Sequence, residues 1–284
     1  MQKDLKILSV DLDGALIKSD MIYETFWSSF SNDLLIPIKA FIALLKGKAY
    51  FKKILFDSSS LDIKSLPYNN TVIEYISNHR ANGGKVALVT DINQKIVNSI
   101  ADHLSLFDEV YSYSSLINFK GSAKRNMLEK IYGKQNFDHI GNSSKDIQIW
   151  EISNKAITFN AGKSLKRKCE LINSNSLHLV DMDKKGLIAS FLKEIRPYQW
   201  IKNILIFIPL IAAQDFDMNT FFYAFLSFFS FSITASSVYI LNDLLDIKAD
   251  RNHPIKCKRP FASGDLPLNL GSILGVLLLL LGLT

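Results

Sequence analysis

The chain has 284 residues, more than one hydrophobic core usually holds, which predicts two structural units. Its net charge of +6 does not indicate nucleic acid, because the basic residues form no patch interleaved with aromatic residues; many lie beside apolar segments, so we expect a membrane partner. Cys169 and Cys257 lie far apart without His or Cys at metal-ligand spacing, which argues against disulfides and a zinc site.

The N-terminal sequence MQKDLKILSVDLDG places acidic residues where a signal peptide needs an uninterrupted apolar segment. We therefore expect residues 1–190 to form a domain that stays in the cytosol. After about Asn203 the sequence is almost entirely apolar apart from one charged loop. Residues 191–284 are accordingly expected to lie in the inner, cytoplasmic membrane as a multi-pass segment.

The first predicted strand is Lys6–Val10, a short apolar segment rich in β-forming residues. It ends at the sequence DLDG and would deliver Asp11 and Asp13 to the carboxyl end of a buried parallel strand. Loops and helix N-termini meet at that edge of an open α/β sheet, so ligands bind there. The pattern predicts a site that contains both carboxylates.

Two more strands are predicted, at Lys85–Val89, which ends in Thr90, and at Phe137–Ile140, which precedes GNSSKD. Helical segments lie between the motifs and include Ile96–Leu106 and Ala123–Tyr132. This alternation predicts a doubly wound α/β domain.

In this order, strand-DLDG, strand-Thr, a helical lysine and strand-GNSSKD resemble the haloacid dehalogenase-like (HAD) hydrolase superfamily over about two thirds of the chain. The resemblance implies that Asp11 is the nucleophile and Asp13 the general acid and base. It also implies that Thr90 holds a phosphoryl oxygen, and that Asp146 completes a Mg²⁺ site with Asp11 and the Asp13 carbonyl.

A carboxylate attacks an anionic phosphate only when cations screen their repulsion, which Mg²⁺ and one lysine would do. Lys124 opens the helix AKRNMLEK and is the better candidate, while Lys120 could replace it. Ala15 and Asn142 stand where the family usually has Thr and Asp. The lost carboxylate weakens the field at the metal, which leaves open slow catalysis or a non-catalytic, phosphate-sensing domain.

The insertion at about 23–70 falls where this superfamily places a helical cap. Its segment LLIPIKAFIALLKGKAYFKKILF alternates apolar residues with lysines. That pattern suits a helix on a membrane surface as well as a lid, and the sequence does not separate the two.

Three membrane helices are expected, at about 196–213, 221–241 continuing to 250, and 266–284. Phe221–Leu241 has no charge and is long enough to cross a bilayer. The loop after Leu241 is basic, whereas Gln214–Thr220 has no Lys or Arg, so the basic loop is expected in the cytosol.

An acidic motif ends the second of these helices, with Asn242 followed by Asp243, Asp246 and Asp250. Steps of three and four residues place the acids on one helical face. Aligned carboxylates repel one another unless cations lie between them and a second anion, an arrangement that Mg²⁺ and a diphosphate satisfy. The motif therefore predicts a site for a magnesium-diphosphate donor.

Together with HPIKCKRPFASG and RPYQWIKN, this motif resembles the UbiA superfamily of intramembrane prenyltransferases, nearest to its decaprenyl-phosphate phosphoribosyltransferase branch. That resemblance implies a phosphoribosyl diphosphate donor and a polyprenyl phosphate acceptor. Asn242, Lys202 and Arg259 are candidate substrate contacts. The family has a second acidic motif in a later helix, so we expect this chain to be C-terminally truncated.

The fusion predicts an enzyme of polyprenyl phosphate metabolism, in which the membrane part transfers a phosphoribosyl or prenyl group and the soluble part removes or senses phosphate. One alternative is a 4-hydroxybenzoate-type aromatic prenyltransferase, which shares the acidic motif. The other is a membrane-anchored regulatory module with a non-catalytic HAD-like domain.

Overall fold

The computed structural model describes residues 6–112, 122–182, 185–214 and 217–284. The chain divides into two compact units, one of residues 1–29 and 33–184 and one of residues 30–32 and 185–284. Lys120, the alternative lysine, lies outside the described residues, as does part of the loop 214–220.

The first unit contains a six-stranded parallel sheet with the order β3-β2-β1-β4-β5-β6. Its strands are β1 (Ile7–Asp11), β2 (Val86–Thr90), β3 (Glu109–Ser112), β4 (Phe137–Gly141), β5 (Lys155–Phe159) and β6 (Ser176–Leu179). The chain winds outward from β1 to β3 and then from β4 to β6. Because parallel crossovers are right-handed, helices cover both faces, which confirms the doubly wound α/β class.

The central strand β1 is apolar because both of its faces are covered. Leu8 and Val10 are fully buried, and Val10 pairs with Leu88 of β2 and Ile140 of β4. This register brings the carboxyl ends of β1, β2 and β4 to one edge. The gap between β1 and β4 is the point where the winding reverses, which is where open α/β sheets bind ligands.

The helices before residue 185 are α1 (Met21–Asn32), α2 (Ile36–Leu45), α3 (Lys48–Ser58), α4 (Asn70–Ala81), α5 (Gln94–Leu104), α6 (Ser122–Tyr132), α7 (Ile147–Trp150) and α8 (Lys163–Ile172), with 3₁₀ turns at Ile63–Ser65 and Ser144–Asp146. Three of them, α1 to α3, occupy the insertion between β1 and β2 where a helical cap is expected. Asp20 starts α1 by accepting a hydrogen bond from the Ile22 amide.

The second unit contains one described helix that is long and apolar enough to cross a membrane, α11 (Met218–Leu245), with a mean hydropathy of 1.6 over an 18-residue window. At 1.5 Å per residue it extends for about 42 Å, against roughly 30 Å of hydrocarbon. The other elements are α9 (Leu187–Ile195), a 3₁₀ helix Pro197–Phe207, α10 (Ile208–Ala213), α12 (Ile247–Arg251), a 3₁₀ turn Lys256–Lys258, α13 (Pro260–Ser263) and α14 (Leu268–Leu283).

Small residues bring α11 and α14 close together. A Cβ added at Gly275 would lie 3.2 Å from the Ile240 side chain, and Ser237 donates a hydrogen bond of 2.7 Å to the Gly275 carbonyl. Trp200 and Asn203 of the 3₁₀ helix donate to Ser236 and Ser232 of α11. Close backbones and interhelical hydrogen bonds are what hold helices together where water is absent.

Two expected helices differ in the structure. Residues 196–213 do not form one α-helix, because the 3₁₀ helix Pro197–Phe207 precedes the short α10. Pro209, at the start of α10, lacks an amide hydrogen and cannot continue the preceding segment as an α-helix. The second helix ends at Leu245 and does not continue unbroken to 250, since Asp246 leaves helical geometry before α12 begins.

Candidate functional site

The edge of the sheet between β1 and β4 joins Asp11 to a buried lysine. Lys124, on α6, donates a hydrogen bond of 2.8 Å from Nζ to Asp11 Oδ1, and the Leu12 amide donates to the same oxygen at 3.0 Å. Lys124 is only 7% exposed, which is unusual for lysine unless it is paired. The structure therefore brings together two of the residues that the sequence assigned to phosphoryl transfer.

Asp11 lies in an environment that resists its negative charge. Burial raises the pKa of Asp11, the Lys124 ammonium opposes that rise, and the nearby Asp146 charge adds to it. Lys124 therefore offsets only part of the effect of burial and of the Asp146 charge on Asp11. A second cation at this edge would relieve the repulsion.

Asp13 lies in the DLDG turn, and its side chain reaches the start of α1, where Oδ1 accepts a hydrogen bond of 3.0 Å from the Met21 amide. Burial and the charges of Asp20 and Asp11 raise the pKa of Asp13 well above its ordinary value. A carboxyl group that keeps its proton is what a general acid requires.

Asp146 is turned toward the loop after β4. Its Oδ2 accepts from the Asn142 amide at 3.0 Å, the Ser143 amide at 2.9 Å and the Ser143 hydroxyl at 3.1 Å. Burial disfavours the charged carboxylate, but the hydrogen bond from His139 and the Lys124 charge outweigh it, and the pKa of Asp146 stays below its usual range. Asp146 is thus a fixed negative charge in the loop.

Ser9 and His139 form a buried polar pair that the sequence reasoning missed. His139 lies opposite Ser9 in the register of β4 and β1, and its Nδ1 is 3.1 Å from the Ser9 hydroxyl. His139 Nε2 lies 3.4 Å from Asp146 Oδ1. Burial lowers the pKa of His139, so a neutral ring with its proton on Nε2 satisfies both contacts. The sequence offered one indication of this pair, because Ser9 and His139 are each a polar residue in the middle of an apolar strand.

Position 14, in the DLDG turn, has room only for glycine, because the loop after β4 packs against it. Gly14 has a φ of +71°, and a Cβ there would lie 1.9 Å from Asn142 Nδ2. The Asn142 side chain therefore packs directly on the DLDG turn, at the same edge as Asp11 and Asp13.

Thr90 is buried at the carboxyl end of β2, beside β1. The next residue, Asp91, is bound by Lys52 of α3 at 2.5 Å, so the inserted helices are tied to this edge of the sheet. Sequence reasoning did not identify that ion pair, because 39 positions separate its partners.

Within the described ranges, no three His, Cys, Asp or Glu side chains are arranged to hold a metal ion. Asp11 and Asp146 are two carboxylates that interact at this edge, and the resemblance adds the Asp13 carbonyl to them as a third ligand. Such a set fits Mg²⁺, which usually takes one or two carboxylates together with water and phosphate oxygens. The repulsion between Asp11 and Asp146 is the structural feature that a cation would relieve.

A second group of charges lies in the other unit and is centred on Arg259. Its Nη1 donates to Asp243 Oδ1 at 2.9 Å and to Asp250 Oδ2 at 2.7 Å. Arg196 also binds Asp243, and Lys256 lies 3.8 Å from Asp250. Asp243 is 4% exposed and Asp250 is 1% exposed. We refer to Glu194, Arg196, Asp243, Asp250 and Arg259 as the Arg259 cluster.

The acidic motif is divided by the end of α11. Asp246 caps that helix and is exposed, and Asn242 is exposed as well, whereas Asp243 and Asp250 point inward. Lys202 is exposed on the 3₁₀ helix, and the described interactions do not join it to the Arg259 cluster. The structure thus brings together Asp243, Asp250 and Arg259 and leaves the other predicted residues apart.

Glu194, at the end of α9, belongs to the cluster and was missed. It is 1% exposed, and in the described part of the chain neither carboxylate oxygen has a hydrogen-bond partner. Burial and the neighbouring Asp243 raise the pKa of Glu194 to about 9. The available signal in the sequence was an acidic residue, Glu194, two positions before Arg196, which begins RPYQW.

No protein-family model matches the chain. An uncharacterised Sinorhizobium fredii protein, y4nM, is 31% identical over 97% of this chain, which spans 53% of that relative. A Corynebacterium glutamicum decaprenyl-phosphate phosphoribosyltransferase is 38% identical over 102 residues, 35% of this chain and 31% of that protein. The chain therefore spans about half of the first relative and a third of the second.

Among solved structures, a phosphoserine phosphatase with a phospho-aspartyl intermediate analogue is similar to 62% of this chain, over 94% of its own length, at 17% identity and a TM-score of 0.44. A TM-score below 0.5 is too low to establish a shared fold.

Proposed function

We propose that the first unit is a HAD-type phosphohydrolase that cleaves a phosphate monoester through Asp11. The observation that supports this most directly is the Lys124–Asp11 contact beside Asp146 at the edge where the winding reverses. A nucleophilic carboxylate with a buried lysine on one oxygen suits attack on an anionic phosphorus, because the ammonium offsets part of the repulsion.

In this mechanism Lys124 holds Asp11 Oδ1 and leaves the other oxygen to attack phosphorus. Asp13 gives its proton to the departing oxygen and then takes one from the water that hydrolyses the phospho-aspartate. The Thr90 hydroxyl donates to a phosphoryl oxygen. Mg²⁺, held by Asp11, Asp146 and the Asp13 carbonyl, would supply the remaining charge stabilisation.

The test is hydrolysis of p-nitrophenyl phosphate by the full chain in detergent, with and without EDTA. We expect turnover that EDTA removes and Mg²⁺ restores. Binding of inorganic phosphate without any hydrolysis, at any metal concentration, would instead support the phosphate-sensing alternative, which Ala15 and Asn142 keep open.

Asn142→Asp should tighten Mg²⁺ binding about three- to tenfold, because it adds a negative charge beside the DLDG turn in a partly dry site. Calorimetric titration of the full chain with Mg²⁺ measures the change. Asn98→Asp, an exposed position on α5, is the matched control and should leave affinity unchanged. Equal affinity in the Asn142 and Asn98 variants would place the ion away from Asn142.

For the second unit we propose a part of a UbiA-type transferase that takes a Mg²⁺-diphosphate donor, phosphoribosyl or prenyl, and a polyprenyl lipid acceptor. Its support is the 38% identity to decaprenyl-phosphate phosphoribosyltransferases and the Arg259 cluster beside a candidate membrane helix. The proposal includes a multi-pass location in the cytoplasmic membrane, with the first unit in the cytosol. An aromatic prenyltransferase is the second candidate.

The two proposed activities fit one sequence of reactions. Transfer of phosphoribose to a lipid phosphate leaves a 5-phosphate, and a phosphatase in the same chain would meet that product at high effective concentration. A wild-type protein that never dephosphorylates the lipid-linked product, while hydrolysing a soluble ester, would separate the two units functionally.

Asp243→Asn should abolish Mg²⁺-dependent binding of phosphoribosyl diphosphate by the second unit, because it removes a buried charge that two arginines orient. Lys248→Ala, on the exposed side of α12, is the control and should change affinity less than about twofold. Titration of the full chain in nanodiscs across a magnesium series measures both. Wild-type affinity in Asp243→Asn would withdraw the transferase proposal for this segment.

A further inference from the structure

Helix α2 exposes an apolar surface although it belongs to the α/β unit. Its inner side packs through Ile36, Ala40 and Ala43. Exposed apolar residues of its outer side and of the turn before it form a surface that we call the α2 apolar face: Leu34, Leu35, Ile38, Phe41, Ile42, Leu44 and Leu45. Leu34 is 73% exposed, Phe41 64% and Leu45 75%. A contiguous exposed apolar patch of this kind is typical of a surface that binds a protein, a ligand or a membrane.

The face follows helical spacing. Ile38, Phe41 and Leu45 recur at steps of three and four residues and so lie along one side of α2. The ten residues of α2 extend for about 15 Å, which is half of the hydrocarbon thickness. The helix is therefore too short to cross a bilayer but long enough to lie along its surface.

The charges around the face are mostly positive, although Asp33 lies directly before Leu34 and pairs with Lys39. From Leu34 to Phe56 the sequence has five lysines and no acidic residue. Lys46 and Lys48 follow the helix directly and are exposed, as is Lys53 on α3. Lys46 also lies over the Tyr50 ring, 5.3 Å from its centroid. Lysines beside an apolar helical face are typical of helices that bind anionic lipid, where the ammonium groups meet headgroups and the apolar side chains enter the acyl boundary.

The same charges argue against a second copy of the chain on this face. In a two-fold symmetric contact the face would meet itself, and its lysines would lie near those of the partner. Repulsion among Lys46, Lys48 and Lys53 of the two copies would oppose that contact. An anionic bilayer complements both groups, because its acyl region accommodates the apolar residues and its headgroups attract the lysines.

We propose that the α2 apolar face docks on the anionic surface of a lipid bilayer, with Ile38, Phe41 and Leu45 in the acyl boundary and Lys46, Lys48 and Lys53 at the headgroups. This docking is a contact separate from the membrane crossing of α11. It does not depend on the activity of either unit.

The test uses the full chain in nanodiscs with a fluorophore on Phe41→Cys. Cys257→Ser removes the accessible native thiol, and Cys169 is fully buried and does not react in the folded protein. The matched control carries the same fluorophore on Ser99→Cys, an exposed position of α5. Lipids with a nitroxide on the acyl chain should quench the fluorophore at 41 about twofold in phosphatidylglycerol-containing discs and leave the one at 99 unchanged.

Two variants examine the two halves of the proposal. Ile38→Asp should remove quenching at 41 without unfolding the protein, because Ile38 is 60% exposed. Lys48→Glu with Lys53→Glu should weaken quenching in discs that contain phosphatidylglycerol, and circular dichroism checks the fold of both variants. Equal quenching at 41 and 99 overturns the proposal. So does a fluorophore at 41 that is shielded from water without nitroxide quenching and shows energy transfer between chains, which would identify a second copy as the occupant.

Discussion

Asp11→Asn should reduce phosphate ester hydrolysis by about a thousandfold or more while the protein stays folded. The amide has the size of the carboxylate and can still accept the hydrogen bond from Lys124, but it cannot attack phosphorus. Because burial already resists the charge of Asp11, removing that charge should not destabilise the sheet edge. Steady-state kinetics and circular dichroism on the full chain measure activity and fold.

Asp102→Asn is the matched control, since Asp102 is exposed on α5, away from the end of β1. It should hydrolyse the ester at the wild-type rate. If Asp11→Asn kept that rate as well, the nucleophile would be another residue, and the assignment of Lys124 as its partner would fall with it.

Arg259→Gln should destabilise the second unit by about 3 kcal/mol, the lower end of the cost of breaking a buried ion pair, because part of Arg259 is exposed. In the part of the chain that the structure describes, the glutamine leaves Asp250 with the more distant Lys256 and Asp243 with Arg196. Thermal or denaturant unfolding in detergent, followed through the helical signal, measures the loss.

Lys258→Gln, one position earlier and exposed, controls for the loss of a positive charge and should change stability by less than about 0.5 kcal/mol. The double variant Arg259→Gln with Asp243→Asn should recover part of the loss, because it removes a buried carboxylate together with its cation. A single variant as stable as the wild type would show that water reaches these carboxylates.

The local pattern of residues was sufficient to predict β1, β2 and β4, since each is a short apolar segment that ends at polar motif residues. It did not predict β3, β5 and β6, and none of those strands ends in one of the motifs. Such strands form because a neighbouring strand supplies their hydrogen bonds, and that neighbour lies elsewhere in the sequence.

In the second unit, periodicity predicted one acidic face for Asp243, Asp246 and Asp250. Asp246, at the C-terminal end of α11, is exposed, while Asp243 and Asp250 are buried and bound by Arg259. Helical spacing assumes an unbroken helix, so it could not reveal that division. Glu194 joins the cluster only because the unit folds α9 against α11.

By itself the sequence determined the residue types, their order and the strand ends at which they lie, because these depend on neighbouring positions. Only the tertiary structure decided which of them touch. Lys124 meets Asp11 across 113 positions, and His139 meets Ser9 across 130. Contacts at such separations follow from the order in which the strands pair, and burial of the apolar strands determines that order. The polar residues at or near the ends of those strands come together as a result.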